Sequence, residues 1–127
     1  MPPPAGDAGC AMLVDQAYTN AIALLQNGRV ADAEAIFRDL LKIQPEHPEL
    51  LHFLGLCRHR LGDRLSAEPL IKAAIRRNPQ NAIFHFNLGI LLQELNRLDE
   101  ALTCYDTAIA LKPDFLDAFN SRGNVFF

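Results

Sequence analysis

Cysteine is scarce in this chain: three in 127 residues, Cys10, Cys57 and Cys104, far apart and with no C-x-x-C spacing. An odd number without a framework excludes a disulfide scaffold and reads as free thiols in a reducing compartment. Long apolar runs are missing too. None reaches the roughly 18 residues of a membrane helix. The opening "MPPPAGDAGCAM" has neither a basic start nor a long apolar run, so it is not a signal peptide. Residues 1–10 read as a flexible lead, and a cytoplasmic protein that does not engage membrane is expected. Positive charge is not in excess: the net charge is −3. With no exposed aromatics interleaved among its basic residues, the chain is not expected to bind nucleic acid.

Catalytic patterns are equally thin. No Gly-rich phosphate loop, H-E-x-x-H or G-x-S-x-G occurs. His52 and His59 fall seven apart on one predicted helix, about 10 Å along its axis, too far to share a metal. His47 and His85 have no Cys or carboxylate at ligand spacing. The expectation is a protein that is no enzyme and holds no cofactor or metal, its histidines solvated or lining a groove.

Half of the residues are hydrophobic, which is ample for a folded core. The charge is unevenly spread. Residues 1–47 carry three basic and six acidic groups, 48–79 carry six and three, and 80–127 carry three and six. "RHR" at 58–60, with Arg64, Arg76 and Arg77, makes the middle a basic belt. Such a run is either a solvated face or a patch for an acidic partner.

A repeat organises the chain. Pro45, Pro79 and Pro113 are spaced by 34, and Ala33, Ala67 and Ala101 keep the same step. So do Phe37, Ile71 and Tyr105, and also Gly28, Gly62 and Asn96; Ala21, Gly55, Gly89 and Gly123 run into a fourth unit. Each column has a mechanical reason. Small residues let two helices approach closely, and the aromatic or Ile fills the space between them. Gly28, Gly62 and Asn96 can take the left-handed conformation that ends a helix. The closing Pro cannot continue its helix. Each unit is therefore helix, tight turn, helix, Pro. Helices are predicted at 11–26, 30–43, 48–61, 64–78, 82–95, 98–111 and 115–127, and Leu88, Leu91, Leu92 and Leu95 recur at helical spacing. Pro69 falls inside the fourth, where it should lose a backbone bond or delay the start until Ser66 can cap it.

This pattern resembles the tetratricopeptide repeat (TPR), a 34-residue helix-turn-helix with W-x-x-L-G-x-x-Y, then A-x-x-x-F, then Pro. "FHFNLGILLQELNRLDEALTCYDTAIALKP" is its best instance, and "LLHFLGLCRHRLGDRLSAEPLIKAAIRRNP" the second. The resemblance implies an all-α fold, a right-handed α-solenoid of antiparallel helix pairs. It places about three full repeats near 14–47, 48–81 and 82–115, then one extra helix at 116–127.

It also implies a binding groove lined by the first helix of each pair. Carried onto this sequence, the groove residues are Tyr18 and Ile22; His52, Leu56 and His59; Phe86, Asn87, Ile90 and Gln93; and Asn120 and Asn124. Asp15, Leu25, Glu49, Ile83 and Asp117 occupy further groove positions. Leu25 and Leu56 read equally well as helix-packing residues. The partner expected in such a groove is a peptide or helix of another protein. The branch of the family that grips a C-terminal carboxylate is rejected, because its matching positions hold Tyr18, Ile22, Phe53, Ile83 and Asn87, with no basic pair. Another branch, the arm in front of O-linked N-acetylglucosamine transferases, runs an asparagine ladder along the groove. Asn87 matches that ladder, whereas Phe53 and Ser121 do not. "ALKPDFLDAFNSRGNV" also reads like repeats of bacterial proteins with such a transferase region downstream, so a substrate-presenting arm of a larger enzyme is the second expectation.

The last helix ends on Val125, Phe126 and Phe127 with no polar outer face. Two readings fit, a lone capping helix or, preferred because that outer face is apolar, the front of a longer array stopped in mid-repeat. Its apolar stripe, with Ala118 and Phe119, should drive self-association.

Overall fold

The computed structural model of the chain describes residues 5–125, with side chains from Val14 onward. Cys10, Phe126 and Phe127 fall outside the described side chains. The described residues form seven helices: α1 (Ala5–Gln26), α2 (Val30–Ile43), α3 (Pro48–Arg60), α4 (Arg64–Arg77), α5 (Ala82–Glu94), α6 (Leu98–Leu111) and α7 (Leu116–Val125). They pair as α1 with α2, α3 with α4 and α5 with α6, and α7 lies against α6. This is a helical solenoid, and each boundary from α2 to α6 falls within a residue of expectation. Helix α1 starts at Ala5, six residues earlier than the periodicity suggested and within the stretch read as a flexible lead.

The turns within each pair are built identically. Gly28, Gly62 and Asn96 have φ of 83°, 90° and 61°. At the first, the Leu25 carbonyl accepts from Gly28 N–H at 3.1 Å and the Leu24 carbonyl from Arg29 N–H at 2.9 Å. The same two bonds recur at Gly62 and Asp63 and at Asn96 and Arg97. Backbone groups that the helix end would orphan are thus satisfied three times over, 34 residues apart.

Packing follows the columns. Ala33, Ala67 and Ala101, with Phe37, Ile71 and Tyr105, have no exposed surface. A Cβ on Gly55 would stand 2.7 Å from Ile71 Cγ1, and one on Gly89 would stand 2.6 Å from Tyr105 Cε1. Glycine there is a spacing device. One core cluster joins α1, α2 and α3, a second joins α4, α5 and α6 with Val125, and a third, of Leu51, Ala74 and Phe84, bridges them.

Of the two outcomes expected for Pro69, the helix loses a bond and keeps its start. Pro69 neither delays α4 nor hands its cap to Ser66: the helix starts at Arg64, and Asp63 caps it by accepting from Ser66 N–H at 3.2 Å. The bond that Pro69 forfeits would have reached Leu65, whose 81% exposure leaves its residue open to water. Of the apolar stripe expected on α7, Phe126 and Phe127 lie outside the described residues. Ala118 is buried and Val125 packs on the second cluster, leaving Leu116 (72%) and Phe119 (42%) exposed.

The basic belt is spent largely inside the molecule. Arg58 pairs with Glu34 of the preceding repeat at 3.0 Å, and Arg77 pairs with Glu46. Arg64 reaches Glu94 of the following repeat at 3.1 Å, while in the opposite sense Arg97 of that repeat reaches back to Glu68 at 2.6 Å. A basic repeat between two acidic ones is therefore complementary across both of its seams.

Candidate functional site

Neighbouring first helices touch through pairs of residues 35 apart, one more than the repeat. Each residue is about 100° further round a helix, so the residue facing forward and the one facing back at the same height are sequence neighbours. Tyr18 meets Phe53, with ring centroids 5.8 Å apart and edge to face. His52 meets Asn87, Nδ2 to Nε2, at 2.7 Å. Further along, the Leu25 carbonyl accepts from Arg60 Nη1 at 3.3 Å, and His59 Nε2 contacts Glu94.

These contacts sort the expected groove residues. Tyr18, half-buried, packs on Phe37 and Phe53; burial, then the nearby Glu49 carboxylate, pushes its hydroxyl pKa up. It borders a cleft of about 200 Å³ with Val14, Asp15, Gln44, His47, Glu49 and Leu50. Ile22 and Ile90 are half-buried flank residues of the two main core clusters. Leu25 is buried at 5%, in keeping with a packing residue, and Leu56 is half-buried.

His52 is sealed at 3% exposure, neither solvated nor open to a ligand. Its ring centroid lies 4.5 Å from that of Phe84 and 5.2 Å from that of Phe53. Burial lowers its pKa to about 4, so it is neutral at pH 7. Its Nδ1 finds no partner among the described residues, which costs about 1–3 kcal/mol.

On α5, Phe86 is half-buried and tilted against Phe115 at 4.9 Å and Tyr105 at 6.1 Å. Gln93 accepts from the Tyr105 hydroxyl at 2.7 Å through Oε1. Burial raises the pKa of that hydroxyl to about 12, so it stays a donor. His59 keeps only 16% of its side chain exposed, on Glu94. Glu94 stays ionised to lower pH than a free carboxyl because hydrogen bonds from Arg64 and His59 outweigh the larger opposing effect of burial. Asn120 and Asn124 are exposed on α7. Phe53, weighed from sequence only as a mismatch to the family's polar groove positions, and Phe84, Phe115 and Glu94, not singled out there, complete the surroundings of these residues. Reading the chain at a step of 35 rather than 34 would have found Phe53 and Glu94.

The thiols are no better candidates for chemistry. Cys57 and Cys104 are free, and burial pushes each pKa up to about 11, away from the reactive thiolate.

The pairing, the left-handed turns and the small-residue columns agree with the family comparison. The tetratricopeptide repeat family matches over residues 18–82 and again over 70–103, and a TPR repeat over 91–127. The chain belongs to the tetratricopeptide repeat family. The Solanum lycopersicum protein SPINDLY, named as a probable UDP-N-acetylglucosamine–peptide N-acetylglucosaminyltransferase, is 30% identical over 102 residues, 80% of this chain and 11% of that protein. The Thermobaculum terrenum O-GlcNAc transferase superposes with a TM-score of 0.87 at 27% identity, over 91% of this chain and 22% of that one. The Yersinia enterocolitica secretion chaperone SycD, in complex with a peptide of the translocator YopD, superposes at 0.80 with 22% identity, over 89% of this chain and 92% of its own. The TPR chain spans about a tenth of the length of the curated relatives it matches. No helix among its described residues is long and apolar enough to cross a membrane.

Proposed function

We propose that the chain is a protein-interaction module whose row of first helices, α1, α3, α5 and α7, binds an extended segment or helix of a partner protein. The observation that carries this reading is on α5. Phe86, Asn87 and Gln93 are all half-buried, and among the described residues each carboxamide is hydrogen-bonded at one end only. Half-used amides beside a half-buried ring suit a peptide, which offers donors, acceptors and side chains in regular alternation. SycD, of the same fold, is known with a peptide bound. The test is a peptide selected on the wild-type chain from a random library. Phe86→Ala with Asn87→Ala should weaken that peptide about tenfold or more and leave helicity unchanged. Equal affinity would put the binding surface elsewhere.

A second reading is favoured by the transferase comparison at 27% identity: the module is the substrate-presenting arm of a larger glycosyltransferase. A transferase region in the same reading frame after Phe127 would support it, and a stop codon there would overturn it.

Self-association through α7 is the third element of the proposal, resting on exposed Leu116 and Phe119. Concentration-dependent dimers in sedimentation that Phe119→Ser abolishes would support it; a strict monomer would contradict it.

A further inference from the structure

His52 is a buried base with one nitrogen in use. An amide nitrogen can only donate, so the 2.7 Å contact from Asn87 Nδ2 makes His52 Nε2 the acceptor. The ring proton then sits on Nδ1, where no acceptor meets it among the described residues. Phe84 and Phe53, against the ring on the helices α5 and α3, hold it in place. A phenyl ring would fill the same space without an orphaned donor.

The consequence falls on Asn87. A free carboxamide turns over and offers donor or acceptor alike; one held by its nitrogen keeps its oxygen at a fixed place, with one N–H left beside it. Gln93 is held the opposite way. Tyr105 donates to its Oε1, so its amide nitrogen is left to donate. The two residues stand six apart on α5, about 9 Å along the axis and about 120° round it, Asn87 toward α3 and Gln93 toward α6.

We infer that His52 is a positioning residue for the groove, fixing Asn87 as an acceptor while Tyr105 fixes Gln93 as a donor. The pair then selects a peptide that presents a backbone N–H to Asn87 and, further along, a carbonyl to Gln93. The inference rests on the groove reading above and adds the chemistry that the groove recognises.

The probe is the same library-selected peptide. His52→Phe removes the acceptor together with the orphaned donor. The thermal midpoint should hold or rise while peptide affinity falls about tenfold. His52→Gln, whose side-chain oxygen reaches the place of Nε2, should bind within about threefold of wild type. Replacing the backbone amides of the peptide one at a time by N-methyl amides should expose a single intolerant position. In the free protein, nitrogen NMR of His52 should report the tautomer protonated on Nδ1. Undiminished binding by His52→Phe, or a proton on Nε2, overturns the positioning role while leaving the groove reading intact. Should His52→Phe fail to fold, the tautomer and the N-methyl series decide. A library that yields no peptide removes the groove reading, and this inference with it.

Discussion

Glycine acts in two opposite ways along one column of this chain. At Gly89 the backbone of α5 lies against the body of the Tyr105 ring, with Cε1 and Cδ1 at 2.6 and 2.8 Å from where a Cβ would stand. An alanine gains about 1 kcal/mol of helix propensity but forces ring and helix apart, which costs about 1–3 kcal/mol. Overpacking should win. Gly123 holds the same register in α7, and nothing lies within 4 Å of its Cβ direction. Gly123→Ala should therefore stabilise, by up to about 1 kcal/mol, and Gly89→Ala should destabilise by a comparable amount in urea unfolding. His52 supplies a pH signature at the same scale. Its folded pKa, about 4, lies below the usual 6.5. Between those values the unfolded chain binds the extra proton, so stability is full above pH 6.5 and declines toward pH 4. The loss attributable to His52 should be about 3 kcal/mol, and His52→Phe should flatten that part of the pH profile.

Helix boundaries were legible in the sequence because their causes are local. A left-handed Gly or Asn ends the first helix of each pair, and Pro ends the second, whatever lies across the interface. Pro69 was not legible in the same way. Its effect depends on whether the carbonyl it abandons meets water, and that is a property of the folded surface. Position 65 is open, so α4 runs on from Asp63 as though the proline were harmless. It still lacks one hydrogen bond. Pro69→Ala should restore it and raise stability by about 1–3 kcal/mol, read as a higher urea midpoint with an unchanged slope. A lower midpoint would mean that the pyrrolidine ring packs in a way its exposure does not suggest.

Across the whole molecule, the step of 34 describes what each repeat does for itself, and the step of 35 describes what it does for its neighbour. The first was visible as columns. The second was hidden because it pairs unlike residues, Tyr18 with Phe53, His52 with Asn87 and His59 with Glu94, and unlike partners leave no column. The same blindness affected the charges. A basic belt seen from sequence invites an acidic ligand, whereas Arg58, Arg64 and Arg77 are occupied by Glu34, Glu94 and Glu46. Groove residues were placed by resemblance, and the structure separates sealed ones such as His52 from half-open ones such as Phe86. The central claim is that a peptide lies along the first helices and reads the half-used amides there. Side-chain amide NMR during titration with a library-selected peptide addresses it directly. The resonances of Asn87 and Gln93 should shift together with those of Asn120 and Asn124, while Asn27, Asn78 and Asn96, in the turns, stay fixed. Shifts confined to the turn asparagines, with Asn87 and Gln93 unmoved, would contradict it.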